Sequence, residues 1–533
     1  MMRRIFLLLF LLGSSAAAQF PPTIKNVVII FQENRTPDNL FHFLTPQCPL
    51  GPGAGGEYAC TPASVTTSCY NISPCGLSNQ SGTIVPVRLA PRPLAGKIDP
   101  DHSHTGFYNM CDPDPATLVC RNDGAWKTSA GASYAYVANP TVTNYDGSKG
   151  HLLDPYLTLA RQYGWANYMY QTNQGPSYPA HQFIFSGTSA PTADDDARSA
   201  FISENFNRQT IGRQAGCFAS PATNNFVVSP ALDTPPSDCK VFDGGSVKEC
   251  PIANAALDYP TQPVGTFCYP HESMASLLEP RGITWKYYSP SPGSIWTAPD
   301  SFYDICKPEF VNPNGDPTAA LECTGKQWAD HVDLSNHGTN ILRDIASCSL
   351  SRVSWVIPDG AWSDHAGIHD EYGPSWVAAV VNAIGTNQKC AAGTPDAGET
   401  YWQDTAIVIS WDDWGGWSDH EPARYLSRLP CNSTSCAGDY QFGFRVPLLV
   451  VSAYTPAGFI SNDQFDFGSV LRMMEGVNHL PEGELGFADS RATTDLHTFF
   501  PLTHPRDYVP IPAVKDARFF LTYSAKPIDP DDD

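Results

Sequence analysis

Four short polar stretches hold the residue types most able to do chemistry in this chain. Glu33-Asn34-Arg35, Ser363-Asp364-His365 and Asp412-Asp413 each follow an apolar run patterned like a buried strand. Carboxylates are hard oxygen ligands for a divalent cation, and histidines add nitrogen donors and proton carriers. A carboxylate after a strand is more often an ordinary loop residue, but three such clusters on one rim of one sheet are harder to dismiss. The fourth stretch is Gln174-Gly175-Pro176-Ser177-Tyr178-Pro179-Ala180-His181. Gly175 and Pro176 make a turn, and Pro179 suits the first turn of a helix. Ser177 then stands at a helix N-terminus, where backbone N–H groups and the helix dipole favour an anion. An ordinary N-cap serine would look the same.

The elements that must position these residues are read from hydrophobic pattern. The run 24–31 (IKNVVIIF) is bounded by polar residues and suits a buried strand of a parallel sheet. Helical spacing over 152–163 and a further helix around Phe183 follow. Helix-then-strand pairs recur at 272–278 with 283–288, 340–345 with 353–357, and 376–384 with 405–410. A strand over 446–452 and a helix over 467–475 close the series. This alternation predicts an α/β fold, a mostly parallel central sheet flanked by helices. Ligands of such sheets bind beyond the carboxyl ends of the strands. Two regions, about 40–150 and about 190–330, break the pattern and are rich in Cys, Pro, Asn and Gly. They read as disulfide-rich loop insertions that wall a cleft within one catalytic domain spanning 19–525.

Composition bounds the setting. Residues 1–18 run from Arg3-Arg4 through an apolar stretch to Ala16-Ala17-Ala18, the pattern of a secretory signal peptide. The arginine pair also fits a twin-arginine leader. The expectation is therefore a secreted or periplasmic protein, with no transmembrane segment. Sixteen cysteines, all after Ala18, predict disulfides in such a compartment. Cys431 with Cys436, Cys60 with Cys69 and Cys75, and Cys111 with Cys120 lie close in sequence. No C-x-x-C pair has a matching second pair, which argues against a zinc cluster. The formal charge is −22, and the 32 basic residues form no stripe, so nucleic acid and anionic lipid are poor partners. The end, 526–533, reads as an acidic tail.

Residues 26–41 (NVVIIFQENRTPDNLF) resemble the opening motif of a bacterial phosphoesterase family. It holds non-specific phospholipases C and a group of acid phosphatases, within the alkaline phosphatase superfamily. Further stretches match in the family's order: 99–103 (DPDHS), 175–179 (GPSYP) with 186–189 (SGTS), 353–358 (VSWVIP) with 363–365 (SDH), and 406–416 (AIVISWDDWGG) with Asp419-His420. Residues 446–454 and 469–475 fit the C-terminal part. The resemblance implies an alkaline phosphatase-like fold and a hydrolase of phosphoric esters. It implies that Glu33 and Asp412 bind one divalent cation, of calcium, zinc or magnesium type, with Asp413 in or beside that shell. Asn34 would hold a phosphoryl oxygen. Ser177 would attack phosphorus and bridge to the metal. His102 and His365 would contact the phosphoryl group or the leaving oxygen. The intermediate would be a phosphoserine.

Several residues depart from the family's pattern. Phospholipase C members generally have threonine where Ser177 stands, whereas the acid phosphatases have serine, so the expectation is acid phosphatase-like action, with phospholipase C as the alternative. Asp466-Phe467 falls where many members have Asp-His. His104 competes with His102, and His331 or His337 could complete the site. His181 and His420 read as supporting or merely structural. A lipid-directed site would present an apolar rim, for which Trp296, Trp328, Trp362, Trp414 and Trp417 are the candidates, although tryptophans are more often core. No C-x-P-x-R motif of a sulfatase and no G-x-S-x-G elbow is present. An inactive binding protein on this scaffold would have lost Glu33, Ser177 or Asp412, and all three remain.

Overall fold

A computed structural model of the chain describes residues 20–44, 69–114, 119–175, 177–190, 271–291, 295–310, 321–367, 370–426 and 440–528, with short pieces between 196 and 269. The leader, the acidic end, Cys60 and the Cys431–Cys436 loop lie outside these residues.

Eight strands build the central sheet. In chain order they are β1 (Asn26–Gln32), β2 (Gly164–Met169), β3 (Trp285–Tyr288), β4 (Val332–Asp333), β5 (Val353–Val356), β6 (Thr405–Trp411), β7 (Leu448–Ser452) and β8 (Phe459–Phe465). Their spatial order is β4-β3-β5-β1-β6-β7-β2-β8. All pairings are parallel except those of β7 with β6 and with β2. The mostly parallel α/β fold expected from the alternation is thus present.

The helices that bear on the site are α1 (His104–Cys111), α2 (Asp154–Gln162), α3 (Ser177–Ser186), α4 (Met274–Leu278), α5 (Asn340–Ala346), α6 (Gly373–Thr386) and α7 (Phe467–Val477). The two faces of β1 are covered differently. Phe31 points to one face, its ring 4.9 Å from that of His181 on α3 and 5.3 Å from that of Phe467 on α7. Gln32 and its register partner Trp411 point to the other, where Trp411 meets Tyr156 of α2 at 5.2 Å. Val27 to Phe31 are fully buried. That explains the unbroken apolar run, since each such side chain stabilises the fold by about 1.5–3 kcal/mol.

Most elements fall within two residues of the sequence expectation. The strands β2 and β8 were not expected, because GWANYM and FISNDQF carry Asn, Gln, Asp or Gly where a strand pattern should be apolar. β4 is only two residues long. Asp466 caps α7, accepting from the Ser469 N–H at 3.1 Å, so the position next to it packs Phe467 into the core and not at the site. Disulfides join Cys111 to Cys120, as their spacing suggested, and also Cys306 to Cys323 and Cys348 to Cys390. Among the described residues no helix is long and apolar enough to cross a membrane.

Candidate active site

The site sits where the parallel strands β5, β1 and β6 end. Register pairs Gln32 with Trp411 across β1 and β6. One residue on, the Asp412 N–H donates to the Gln32 carbonyl at 2.9 Å, which fixes Glu33-Asn34 beside Asp412-Asp413. The Gln32 side chain then ties in the loop after β5. Its amide donates to the Trp362 carbonyl at 3.3 Å, and its oxygen accepts from the Asp364 N–H at 3.1 Å. His365 is placed by that loop.

Asn34 takes a left-handed backbone conformation, φ +58°. Asn tolerates this region better than most residues, and such strain collects at functional sites. The turn aims the Asn34 N–H at Asp412 Oδ1, 3.0 Å away. It also places the Asn34 amide between two groups: Nδ2 lies 3.2 Å from His102 Nε2, and Oδ1 lies 3.5 Å from Ser177 Oγ. Gly415 permits this close packing. A Cβ there would stand 2.3 Å from the Asn34 carbonyl oxygen, and the residue's φ is +62°.

Ser177 is the first residue of α3 and is fully buried. Its Oγ also lies 3.3 Å from Asp413 Oδ2. Asp413 is held in turn by the Gly415 N–H, which donates to Oδ1 at 2.6 Å. The two site histidines share one arrangement. His102 Nδ1 donates to the Pro100 carbonyl at 2.9 Å, and His365 Nδ1 donates to the Ala366 carbonyl at 2.6 Å. Carbonyl oxygen only accepts, so Nδ1 carries a ring proton in each, and Nε2 of His102 lies against the Asn34 amide. The two rings meet edge to face at 5.6 Å, and Asp99 Oδ1 lies 3.6 Å from His102 Nδ1.

All seven residues singled out in the sequence therefore converge in one cluster: Glu33, Asn34, Ser177, His102, His365, Asp412 and Asp413. Only His102 of the seven reaches solvent. His104 Nδ1 donates to the Gln174 carbonyl at 2.7 Å. His331 is bound at the sheet edge to Glu279 (3.1 Å) and the Trp285 carbonyl. His337 pairs with Asp359 at 2.8 Å. Neither completes the site. The tryptophan rim is not formed: Trp296, Trp362, Trp414 and Trp417 are buried, and Trp328 packs partly buried against the Cys306–Cys323 disulfide. Arg35 is held within the fold. Its guanidinium holds the Asp364 and Leu94 carbonyls at 2.8 Å, above the Trp417 ring.

Sequence reading undervalued His181. One turn into α3, its Nε2 lies 3.2 Å from Glu33 Oε1 and 3.9 Å from Asp412 Oδ2. Burial pushes its pKa down to about 4, against the pull of Asp412. The signal that could have found it is spacing, since positions four apart share a helix face with Ser177.

Glu33, His181 and Asp412 form a wholly buried trio whose donor atoms lie within 4.8 Å of one another. Asp412 Oδ2 is buried without a hydrogen bond. Buried carboxylates are costly unless paired or coordinating a metal, so this donor set fits a cation. The trio Asp38, Asp419 and His420 differs, because Arg445 already supplies the positive charge. Its Nε and Nη2 each donate to Asp419 at 2.9 Å.

The sequence profile of the phosphoesterase family matches residues 24–481, a span that contains every residue of the site. The chain belongs to the phosphoesterase family. Curated relatives of the chain include the non-hemolytic phospholipase C of Burkholderia pseudomallei, 26% identical over 37% of this chain and 30% of the relative. Phospholipase C B of Mycobacterium tuberculosis is 24% identical over 44% of each chain. The hemolytic phospholipase C of Pseudomonas aeruginosa is 25% identical over 60% of this chain and 38% of the relative. The matches thus span less than half the length of these relatives. Among solved structures, a protein of the alkaline phosphatase superfamily from Vibrio parahaemolyticus is similar at 10% identity, covering 62% of this chain and 61% of the other, with a TM-score of 0.28.

Proposed function

We propose that the chain is an exported, metal-dependent phosphoesterase that hydrolyses phosphate esters through a phosphoserine on Ser177, acting as an acid phosphatase. The carrying observation is the placement of Ser177 Oγ. It lies at the start of α3, 3.3 Å from Asp413 Oδ2 and 3.5 Å from Asn34 Oδ1. A free serine hydroxyl is a poor nucleophile. One divalent cation held by Glu33, Asp412 and Asp413 would lower the hydroxyl's pKa and neutralise phosphoryl charge.

The chain's own residues do the rest. Ser177 Oγ loses its proton toward Asp413 and attacks phosphorus. The bond from phosphorus to the leaving oxygen breaks, and that oxygen takes a proton from Nε2 of His102 or His365 in its doubly protonated, imidazolium form. Asn34 Nδ2 donates to an equatorial oxygen, where charge develops. Water then attacks the phosphoserine and gives its proton to the same histidine, the bond from phosphorus to Ser177 Oγ breaks, Oγ takes back the proton held by Asp413, and phosphate is released.

Phospholipase C action is the second reading, favoured by the printed names of the relatives. Serine in place of threonine and the buried tryptophans support monoester hydrolysis instead. Parallel assays with p-nitrophenyl phosphate and p-nitrophenyl phosphorylcholine, each with and without a chelator, test the proposal. Preference for the monoester, lost on chelation, is expected. Preference for the choline diester would select the phospholipase reading, and turnover of neither would remove both.

A further inference from the structure

His181 faces the two carboxylates Glu33 and Asp412 from inside the core, and hydrogen bonding settles which of its nitrogens does so. Tyr287 Oη donates its proton to the Trp296 carbonyl at 2.6 Å, because a carbonyl can only accept. The Tyr287 oxygen is therefore an acceptor toward His181 Nδ1, 3.4 Å away, so Nδ1 carries the ring proton. Nε2 is left with its lone pair, and it is Nε2 that lies 3.2 Å from Glu33 Oε1 and 3.9 Å from Asp412 Oδ2. A lone pair directed at two carboxylates is repulsive unless positive charge stands between them. Two donors each about 2.1 Å from one ion lie roughly 3–3.4 Å apart, which is the spacing of Nε2 and Glu33 Oε1.

The ring is also fixed as a ligand should be. It stacks on Trp296 with centroids 5.8 Å apart and an interplanar angle of 10°, and Phe31 meets its edge. Metal-binding histidines characteristically donate their second ring nitrogen to a fixed acceptor, which sets tautomer and orientation. The pair Tyr287 and Trp296 does both here. Asp412 supplies an independent sign: its Oδ2 is buried, makes no hydrogen bond and points into the same space.

We propose that His181 Nε2 is a ligand of the cation, alongside Glu33 and Asp412, and that the site selects a first-row transition ion such as Zn²⁺ or Mn²⁺ over Ca²⁺. This rests on the metal-dependent reading above. An imidazole donor is common for zinc and its neighbours, whereas calcium takes oxygen ligands almost alone. A site of Glu33, Asp412, Asp413 and Ser177 without His181 would present only oxygen.

Titration calorimetry of the metal-stripped full chain with ZnCl₂, MnCl₂ and CaCl₂ measures the preference. X-ray absorption of the zinc-loaded protein then reads the outer-shell scattering of a bound imidazole. The wild type should bind one Zn²⁺ more tightly than Ca²⁺ and show imidazole scattering. His181→Gln, which keeps a polar planar group on the Trp296 face, should bind Zn²⁺ about 100-fold more weakly and lose one imidazole's scattering. Zinc affinity within about twofold of wild type in His181→Gln, or calcium bound as tightly as zinc, would overturn the inference while leaving metal dependence standing. No stoichiometric binding of any ion to the wild type would overturn both. Should His181→Gln fail to fold, the wild-type absorption spectrum decides alone: oxygen-only scattering sinks the ligand assignment.

Discussion

The Asn34 backbone N–H donates to Asp412 Oδ1 at 3.0 Å, which joins the residues that end two neighbouring parallel strands. The same carboxylate oxygen accepts from the Asp413 N–H at 2.7 Å. One oxygen of Asp412 is thus spent on holding the rim together, and the other faces the space shared with Glu33 and His181. The positions of Asn34, Asp412 and Asp413 are set as one unit.

That unit depends on Gly415. Gly415→Ala would add a Cβ 2.3 Å from the Asn34 carbonyl in a left-handed backbone. A displacement of about 1 Å in a positioning group costs on the order of 10²-fold in rate. Gly282→Ala is the control, since its φ is +68° but nothing lies within 4 Å. The expected outcome is a large fall in kcat for the first and unchanged kcat for the second, with thermal unfolding followed for both.

Replacing the nucleophile should be close to absolute. Ser177→Ala removes the Oγ that approaches Asn34 and Asp413. Turnover of p-nitrophenyl phosphate should fall by roughly 10⁴-fold or more, with the circular dichroism spectrum unchanged. Residual activity within tenfold of wild type would dismiss Ser177 as the attacking group.

His102 predicts a dependence on the leaving group. It is the site histidine that reaches solvent, and Asp99 stands behind its Nδ1 at 3.6 Å. As proton donor to the leaving oxygen it should contribute about 10²–10⁴-fold with an alkyl phosphate. With p-nitrophenyl phosphate, whose leaving group needs little protonation, His102→Gln should cost far less. Equal losses with both substrates would assign His102 to binding rather than proton transfer.

The fourth prediction concerns stability and pH. His420 is buried with its Nδ1 2.7 Å from Asp38 Oδ2, and Asp419, Glu421 and Arg445 complete its surroundings. Burial opposes the charged ring most, but the Asp38 and Asp419 carboxylates together outweigh it and raise the pKa above 6.5. A raised folded-state pKa contributes stability that is full below pH about 6.5 and fades as pH climbs through the folded value. A hydrogen bond to a charged group contributes about 1.5–3 kcal/mol. His420→Gln should therefore lower the unfolding midpoint most at pH 5.5–6, with the gap narrowing toward alkaline pH. A gap independent of pH would rule out a charged His420 in the native state.

What could be read from the residues alone follows a physical line. β1, β5 and β6 are buried on both faces, so their apolar runs stand out, and the polar clusters after them marked the rim correctly. β2 and β8 lie toward the sheet's edge and carry polar residues that bond laterally. Asn167, for one, receives the Trp165 indole N–H and the Asn71 N–H. Such residues hide a strand from any pattern of alternation. The place of Ser177 at the start of α3 was legible because Gly175, Pro176 and Pro179 punctuate the chain around it. His181 was not, because a lone histidine on an apolar helix face is usually packing. Beside its spacing from Ser177, what marks it is the proton committed between Tyr287 and Trp296, and that is a relation among residues about 100 positions apart. The fate of the tryptophans was equally unreadable, as indole serves core and rim alike.

The pairing of β1 with β6 has a kinetic meaning. Asn26 and Thr405 are register partners 379 residues apart in sequence. Glu33 and Asp412 cannot face one another until that span is closed, and closing long loops precedes the contacts that reward it. No fragment that ends before Thr405 can hold the carboxylate pair. Recovery of tight metal binding during refolding would therefore clock the docking of β6 on β1, a step invisible to probes of helix content.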